Sequence, residues 1–376
     1  MVIVLHIVFW VCALLLAYVF VGYPLWVWLL ARFAPQPIRK QAVTPAVTVV
    51  IAVHDGATQV VAKLANLRAL DYPQQLVNIV IVCDGCRDDT AEQCRQFGDA
   101  RVSVLEFAER RGKAACLNDG IAVATGEVLL LTDVRQRLAP AALRELVANL
   151  ADDTVGAVSG ELLFEDVHTG FARGVDAYWR YEKLIRQSES GSGSTVGVTG
   201  ALYAMRREMF RPLPAGTVLD DVLVPMRVRA AGLRVVFEPL ALAWDRPSRH
   251  STQEQKRKIR TLAGNYQLIQ LAPWLLSPAG NPLWFRFVSH KLLRLLAPWL
   301  LLSLTFCSAV LASHHVVYGA TLSLLVLSAV LVGVGKLIPA LGAWMPVRLL
   351  GAFFYLNLFA AQALVAFARN RRLHLW

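Results

Sequence analysis

The sequence predicts an α/β domain with a mainly parallel sheet, flanked at both ends by apolar helices long enough to cross a membrane. Strand-like and helix-like segments alternate between residues 46 and 131, a pattern typical of βαβ units. The 376 residues are 56% hydrophobic, which exceeds the usual value of about 45–50%. The excess lies at the two ends of the chain, and this indicates membrane segments outside a single α/β core.

The first element is an apolar segment from Val2 to Leu30 that contains no Lys, Arg, Asp or Glu. About 20 such residues cross the hydrocarbon layer of a bilayer, so we expect a transmembrane helix at residues 1–32. A cleaved signal peptide is the alternative interpretation. The segment lacks the basic start and small-residue cleavage site of that class, and it is longer than is usual.

The central elements are expected to form the α/β domain, which we place at residues 40–250. The predicted strands lie at 46–53, 78–82, 101–107, 128–131 and 155–164, and the predicted helices at 58–70, 88–97, 112–124, 140–150 and 171–186. The last of these helices is amphipathic. The Ser/Gly-rich run at 188–197 predicts a mobile loop within the domain.

The C-terminal part predicts amphipathic interface helices at 251–290 and about three transmembrane helices within 291–368. Its apolar segments lie at 292–312, 316–335 and 349–367. Basic residues flank the first two spans and place the α/β domain in the cytoplasm by the positive-inside rule: Arg32, Arg39, Lys40, Arg286, Lys291 and Arg294. Four full crossings would leave the basic tail RNRRLHLW outside, so one C-terminal segment is expected to be re-entrant or to lie in the interface.

The net charge of +11 favours membrane lipid rather than nucleic acid as a partner. The Lys and Arg residues are dispersed or juxtamembrane, without the basic stripe of a nucleic-acid site. Cys83 and Cys86 form a CxxC, but no second pair completes a zinc site, and a cytosolic location argues against a disulfide. We therefore expect these thiols to be buried at the end of a strand.

Acidic residues follow the predicted strands at the edge of the sheet where ligands bind. Asp84 and Asp133 each follow an apolar strand, and Asp220 and Asp221 stand in VLDDVL. A basic segment, RRGKAAC, lies between the first two. Carboxylates for a metal ion and cations for an anion together indicate a nucleoside-diphosphate ligand.

Seven motifs in one order resemble those of the inverting, membrane-integrated family 2 glycosyltransferases, which include the cellulose, chitin, hyaluronan and poly-N-acetylglucosamine synthases. The motifs are VTVVIAVHDGA, VCDGCRDDT, RRGKAACLNDGIA, TGEVLLLTDVR, GALYAMRRE, LDDVL and QKRKIR. The resemblance implies a GT-A fold that binds a nucleotide sugar and transfers its sugar to an acceptor.

On the donor side, the resemblance assigns nucleotide contacts to His54 and Asp55, which stand where the family has Tyr-Asn-Glu, and to Asp84. It also places Lys113 at the donor phosphates. A solvated turn at 54–56 and an ordinary surface lysine are the alternatives. Gly56 replaces the glutamate of the family motif, and Cys83 replaces the first aspartate of its Asp-Asp-Gly.

The metal motif departs from the family pattern. Asp133 stands at the first position of Asp-x-Asp, which would hold Mg²⁺ or Mn²⁺, but Arg135 occupies the second. Asp133 could hold the ion alone, with waters and the donor. Alternatively, Arg135 could face the β-phosphate and replace part of the ion's charge. Loss of activity is the third interpretation.

The resemblance implies that Asp221 is the general base, since it matches the last Asp of the family's Thr-Glu-Asp, with Asp220 in the Glu position. Helix capping is the alternative for both residues. Gly200 and Ala201 match the acceptor-side segment. Further along the chain, QKRKIR resembles Gln-Arg-x-Arg-Trp.

In that motif the resemblance implies that Arg257 and Arg260 bind the diphosphate, while Thr261 stands where Trp is usual. The missing aromatic ring puts processive polymer handling in doubt. An interfacial basic helix would also explain the segment.

The sequence therefore predicts an integral plasma-membrane enzyme of the bacterial inner-membrane type. We expect it to move a sugar, with a UDP-sugar favoured, to a glycan or lipid-linked acceptor in exopolysaccharide or cell-envelope synthesis. Single-sugar transfer to a lipid carrier and a catalytically impaired nucleotide-binding regulator are the alternatives. A transporter would explain only the hydropathy, because the spans carry almost no ionisable groups at membrane depth.

Overall fold

The sheet that the sequence predicts is present and contains eight strands. The computed structural model describes residues 2–164, 170–245, 251–370 and 373–375. The strands are β1 (Val47–Val53), β2 (Val77–Asp84), β3 (Val102–Phe107), β4 (Val128–Thr132), β5 (Arg137–Leu138), β6 (Val155–Phe164), β7 (Leu202–Arg206) and β8 (Arg234–Asp245). Their order across the sheet is β3-β2-β1-β4-β7-β6-β8-β5.

The strand directions bring the predicted site residues to one edge. β1 to β4 run parallel to one another, β7 is antiparallel to β4 and β6, and β6 and β8 are parallel. Every residue of β1 is buried, as expected for a strand with helices on both faces. The loops after β1, β2 and β4 therefore meet at the carboxyl edge of the parallel half.

The helices are α1 (Val2–Ala17), α2 (Tyr23–Phe33), α3 (Ala57–Arg68), α4 (Thr90–Gln96), α5 (Lys113–Ala122), α6 (Ala142–Asn149), α7 (Gly170–Gly191), α8 (Asp220–Ala230), α9 (Ser251–Leu271), α10 (Trp284–Phe287), α11 (Leu293–Leu311), α12 (Val316–Leu337), α13 (Pro339–Gly342) and α14 (Met345–Arg369). π-helical turns at Tyr18–Gly22 and Val288–Leu292 join α1 to α2 and α10 to α11. The predicted α/β order is thus confirmed, and the GT-A type of mixed, mainly parallel sheet is present. Strands β5, β7 and β8 were not predicted.

The prediction of a mobile loop at 188–197 is wrong. Helix α7 continues to Gly191, and Ser188, Ser190, Ser192 and Ser194 are all buried. Ser190 Oγ and Ser194 Oγ accept hydrogen bonds from backbone N–H groups of β8, each at 2.9 Å. The serine hydroxyls thus take part in the hydrogen bonding of the sheet.

Arg286 of α10 holds the same segment from the other side. Its guanidinium donates to the carbonyl oxygens of Glu189, Ser194 and Ser192 at 2.6, 2.8 and 2.9 Å. The carboxylate of Glu189 is fully buried and accepts from the Tyr23 hydroxyl and, at 2.8 Å, pairs with His290 Nδ1. This polar cluster joins the sheet to the apolar helices at both ends of the chain.

Within the part of the chain that the structure describes, four helical segments are long and apolar enough to cross a membrane: Val2–Phe33, Trp284–Leu311, Val316–Leu337 and Met345–Arg369. The first has 32 residues and is about 48 Å long at 1.5 Å per residue, so it exceeds a hydrocarbon layer of about 30 Å. Its α2 portion lies beside α7, where Tyr181 Oη donates to Phe20 O at 2.8 Å. The division of the chain into cytoplasmic, interfacial and membrane parts remains our proposal.

The last apolar helix, α14, runs along the amphipathic helix α9. Gln255 and Gln362 are hydrogen-bonded at 3.2 Å, and the rings of Tyr266 and Phe367 stack with centroids 5.7 Å apart. Near its start, α14 approaches the end of α12, where Val347 Cγ1 lies 2.8 Å from the place of a Cβ on Gly335. Further along α14, the centre of the Tyr355 ring lies 5.0 Å from the Lys336 ammonium. The first half of α14 thus lies beside the end of α12, and its second half lies beside α9.

Candidate active site

A polar pocket of about 230 Å³ lies at the carboxyl edge of the sheet. Most of the predicted site residues line it: Lys113, Asp133, Arg135, Gly200, Ala201, Asp220, Asp221 and Arg260. Six further polar residues share the wall, namely Gln136, Thr199, Thr217, Asp245, Thr261 and His374. Motifs separated by more than 100 residues in the sequence thus meet in one cavity.

Lys113 lies at the centre of the pocket, between two carboxylates. It is the first residue of α5, directly after Gly112, whose φ of +91° is in the region that favours glycine. Its Nζ lies 2.9 Å from Asp133 Oδ1 and 3.6 Å from Asp220 Oδ2. Burial disfavours the charged amine, but these carboxylates outweigh burial and raise the pKa of Lys113. The lysine is therefore a permanent cation beside the strand end of Asp133.

Asp221 is a partly buried carboxylate beside Lys113 and Gly200. A Cβ added to Gly200 would lie 3.5 Å from Lys113 Nζ and 3.6 Å from Asp221 Oδ2. A larger residue at position 200 would therefore reduce the space beside these two side chains. Burial, followed by the charge of Asp220, raises the pKa of Asp221 to about 6. Among the described residues, Asp221 Oδ1 has no hydrogen-bond partner. The carboxylate is thus largely ionised at pH 7, and one of its oxygens is unpaired.

Asp220 is more deeply buried than Asp221, at 4% exposure. Burial raises its pKa, although the charge of Lys113 acts in the opposite direction. The two aspartates begin α8, but no side-chain cap is formed at the start of that helix. Their positions therefore favour a role in the pocket over the capping alternative.

The turn after β4 is fixed by a buried lysine that sequence reasoning missed. Lys63 of α3 is 2% exposed and donates to Thr132 Oγ1 at 3.0 Å and Gln136 O at 2.8 Å. Burial lowers the pKa of Lys63 to about 7, against the attraction of Asp133. A charged residue on the buried face of an otherwise apolar helix was the available signal. Lys63 positions the turn that carries Asp133.

Arg135 is paired within the protein. Its Nη2 donates to Asp245 Oδ2 at 3.1 Å, and the same oxygen accepts from Gln136 Nε2 at 2.8 Å. Asp245, at the end of β8, was not predicted as a site residue. The guanidinium lies on the pocket wall with a carboxylate partner, so a contact with the β-phosphate would have to use its other N–H groups.

Asp133 by itself is an incomplete metal site. Within the described parts of the chain, the three potential ligands whose atoms lie within 4.8 Å of one another are Asp55, Cys86 and Asp88, and none of them lines the pocket. Asp133 belongs to no such group, and its Oδ1 accepts from Lys113. A hard divalent ion could be held here by one carboxylate together with oxygens of the ligand and water.

The predicted nucleotide contacts at the first two strands lie outside the pocket lining. His54 Nδ1 donates to Asp84 O at 2.7 Å, and Asp55 is exposed with a φ of +49°. Asp84 is fully buried, and its two carboxylate oxygens accept from the backbone N–H groups of Arg111 and Gly112, each at 2.8 Å. Asp84 thus holds the loop before Lys113 through these two hydrogen bonds, and its contact with the nucleotide stays a prediction.

The basic segment of α9 faces the pocket with one of its two predicted arginines. Arg260 and Thr261 line the cavity, whereas Arg257 does not. Arg257 is half-buried near Arg135, and burial, followed by that neighbouring charge, lowers its pKa. Arg257 and Arg135 therefore place two positive charges beside the pocket. Binding of an anion there would reduce the repulsion between them.

The pocket also contains His374, which sequence reasoning did not select. It belongs to the basic tail that follows α14, where no local pattern indicates a site. Arg371, Arg372 and Trp376 of that tail lie outside the described residues. Only the path of α14 along α9 brings His374 to the pocket.

Comparison with known proteins agrees with this fold and identifies its family. A family model described as "Glycosyltransferase like family 2" matches residues 45–264, which is more than half of the chain. The fold also resembles that of the mannosyltransferase PcManGT from Pyrobaculum calidifontis, solved in complex with GDP-Man and Mn²⁺. The TM-score is 0.72 at 24% identity, over 97% of this chain and 99% of that one.

Curated relatives match the same region. Poly-beta-1,6-N-acetyl-D-glucosamine synthase of Staphylococcus aureus is 22% identical over 230 residues, which are 59% of this chain and 55% of the relative. A probable glycosyltransferase of Bacillus subtilis, YdaM, is 22% identical over 249 residues, 63% of this chain and 59% of the relative. The matched region thus spans little more than half the length of these relatives.

Proposed function

Since the chain belongs to the glycosyltransferase-like family 2, we propose that it transfers a sugar from a nucleoside-diphosphate sugar to a glycan or lipid-linked acceptor at a membrane surface. The observation that carries the proposal is the arrangement of Asp221, Lys113 and Arg260 around one pocket. A base of raised pKa lies there beside cations that suit a diphosphate. This combination is what sugar transfer from such a donor requires.

The proposed reaction inverts the configuration at the anomeric carbon. Asp221 accepts the proton of the acceptor hydroxyl as its oxygen attacks that carbon. The bond to the diphosphate breaks on the opposite face, and Lys113 and Arg260 stabilise the charge on the departing phosphate. Asp133 keeps Lys113 in place through its 2.9 Å contact, so the lysine is held in position before the donor arrives.

A divalent cation, Mg²⁺ or Mn²⁺, is a proposed cofactor, and Asp133 is the residue that would hold it. The ion would supply positive charge to the diphosphate. Arg135 supplies part of the same charge from the protein side. The Mn²⁺ in the similar mannosyltransferase PcManGT supports a divalent ion. The donor of that protein is GDP-Man, whereas the motifs of this sequence favour a UDP-sugar, so we propose a donor of one of these two classes.

We also propose that the enzyme is an integral protein of a bacterial-type inner or plasma membrane, with its catalytic domain in the cytoplasm. Four helical segments have the length and composition of membrane spans. The basic residues beside the first two spans support this orientation. The acceptor would then be reached where the pocket meets the apolar helices, which suits exopolysaccharide or cell-envelope synthesis.

The test uses the full chain purified in detergent, a panel of UDP- and GDP-sugars, and detection of released nucleoside diphosphate. Release that depends on donor, acceptor and Asp221 supports the proposal, and product size separates polymer synthesis from single-sugar transfer. Nucleotide binding without release under any donor and acceptor would identify an impaired regulatory homologue. Absence of both binding and release would refute the proposal.

A further inference from the structure

The segment after α14 folds back onto the catalytic pocket. His374 lines the pocket together with Asp221 and Arg260. Its Cδ2 and backbone O lie 3.0 and 3.1 Å from the place of a Cβ on Gly112, and its Nδ1 lies 3.3 Å from that place on Gly216. Both glycines have a positive φ, of +91° and +77°, a conformation that favours glycine. A side chain at either position would occupy space that His374 fills.

Two sets of contacts hold this segment against the catalytic domain. Leu373 is 9% exposed and packs against Ala263 of α9 and Ala363 of α14. The loop that His374 touches is itself fixed to α9, since Gln267 Nε2 donates to Gly216 O at 2.8 Å. The packing of Leu373 and the hydrogen-bonded loop at Gly216 therefore hold the His374 ring at the pocket.

The imidazole is available to a ligand. Within the described residues, no hydrogen bond involves either ring nitrogen of His374, although the ring is partly buried in a polar pocket. It touches Gly112, the residue before Lys113, and it shares the pocket with Arg260. An N–H donor beside two cations suits an anion.

We propose that His374 is a donor-binding residue whose imidazole donates a hydrogen bond to the diphosphate of the nucleotide sugar. The inference rests on the proposed function, because that diphosphate is the anion which the pocket would hold. It makes the C-terminal segment part of the donor site, although about 110 residues separate it from the preceding pocket residues Arg260 and Thr261.

The proposal also determines the path of α14. If α1, α11 and α12 each cross the membrane, α12 ends on the side of the catalytic domain. His374 lies against Gly112 of that domain, so α14 must begin and end on the same side. Contacts at both ends agree: Gly335 approaches Val347, and Tyr266 stacks on Phe367. Helix α14 therefore lies along the membrane surface rather than across it, which accounts for the basic tail.

The first experiment measures binding of UDP and GDP to the full-length protein in detergent by calorimetry. We expect His374→Ala to weaken binding of the preferred nucleotide about 10- to 100-fold, as for loss of a hydrogen bond to a charged group. His374→Gln should recover part of the affinity because it keeps an N–H donor, whereas His374→Phe should not. His314→Ala, at an exposed histidine in the α11–α12 loop, is the matched control and should bind as the native protein does.

Native affinity in His374→Ala, or full affinity in His374→Phe, would overturn the inference while leaving the proposed function intact. Failure of the native protein to bind either nucleotide would instead refute the proposed function. A second measurement uses His374→Cys and an impermeant thiol reagent. Alkylation in inverted vesicles that is slowed by the nucleotide supports the inference, and alkylation from outside intact cells or at a rate unaffected by nucleotide contradicts it.

Discussion

Replacing Asp221 with Asn should remove activity and at the same time stabilise the protein. Asp221→Asn cannot accept the acceptor proton, so we expect turnover to fall by about 10²- to 10⁴-fold, with donor affinity nearly unchanged. The effect on folding has the opposite sign. The pKa of this carboxyl is raised from its ordinary value of 3.8 to about 6, which means that the folded protein disfavours the charged form.

The size of the stabilisation follows from that shift. One pKa unit corresponds to about 1.36 kcal/mol, so ionised Asp221 costs the folded state roughly 3 kcal/mol at pH 7. Because the pKa is higher in the folded state, the cost is absent below pH 3.8, grows between the two pKa values and is complete above about 6. The neutral amide should raise Tm by roughly 5–10 °C at pH 7, and this gain should disappear towards pH 4.

The assay pairs thermal unfolding in detergent at several pH values with nucleotide release. Asp153→Asn, at a fully exposed side chain, is the control and should change neither quantity. In the native enzyme, turnover should decline as the pH falls through about 6, because protonated Asp221 is not a base. A folded Asp221→Asn protein with near-native turnover, or with a lower Tm than the native protein at pH 7, would refute the reasoning.

Three further outcomes are expected. If Arg135 supplies charge to the diphosphate, native turnover should depend only moderately on Mg²⁺ or Mn²⁺ and Arg135→Asp should lower it; complete loss in EDTA, with a gain in Arg135→Asp, would contradict this role. Lys63→Met removes the two hydrogen bonds that position the turn of Asp133, so turnover should fall by about 10-fold, whereas Arg68→Met, on the exposed face of the same helix, should leave turnover unchanged; equal turnover in the two variants would show that these contacts do not position Asp133. Asp153→Cys should react with an impermeant thiol reagent in inverted vesicles, and reaction from outside intact cells would exclude a cytoplasmic catalytic domain.

The sequence predicted the parallel half of the fold because its signals are local. β1, β2 and β4 are mostly apolar, and a polar motif residue stands at or directly after the end of each, namely His54, Asp84 and Asp133. β8 was missed because Glu238 and Pro239 interrupt its apolar run, and Pro is unusual inside a strand. Pairing of β8 with β6 across a register irregularity accommodates them.

The parts of the site that sequence reasoning missed depend on distant partners. The Ser/Gly composition of 188–197 predicts mobility, yet the groups that order it come from β8 and from Arg286. His374 carries no motif, and Asp245 is recognisable only once Arg135 is seen beside it. In contrast, Lys113, Asp133 and Asp221 were predicted as a set, because the resemblance fixes their order along the chain. Their individual roles remain predictions.

The hydrogen bonds between Arg286 and the 188–197 segment can form only late in synthesis of the chain. The ribosome completes most of the sheet before it adds residue 286, and until then the carbonyl oxygens of Glu189, Ser192 and Ser194 lack the guanidinium that pairs them. The catalytic domain thus reaches its final form only after the start of the second apolar helix has emerged and docked.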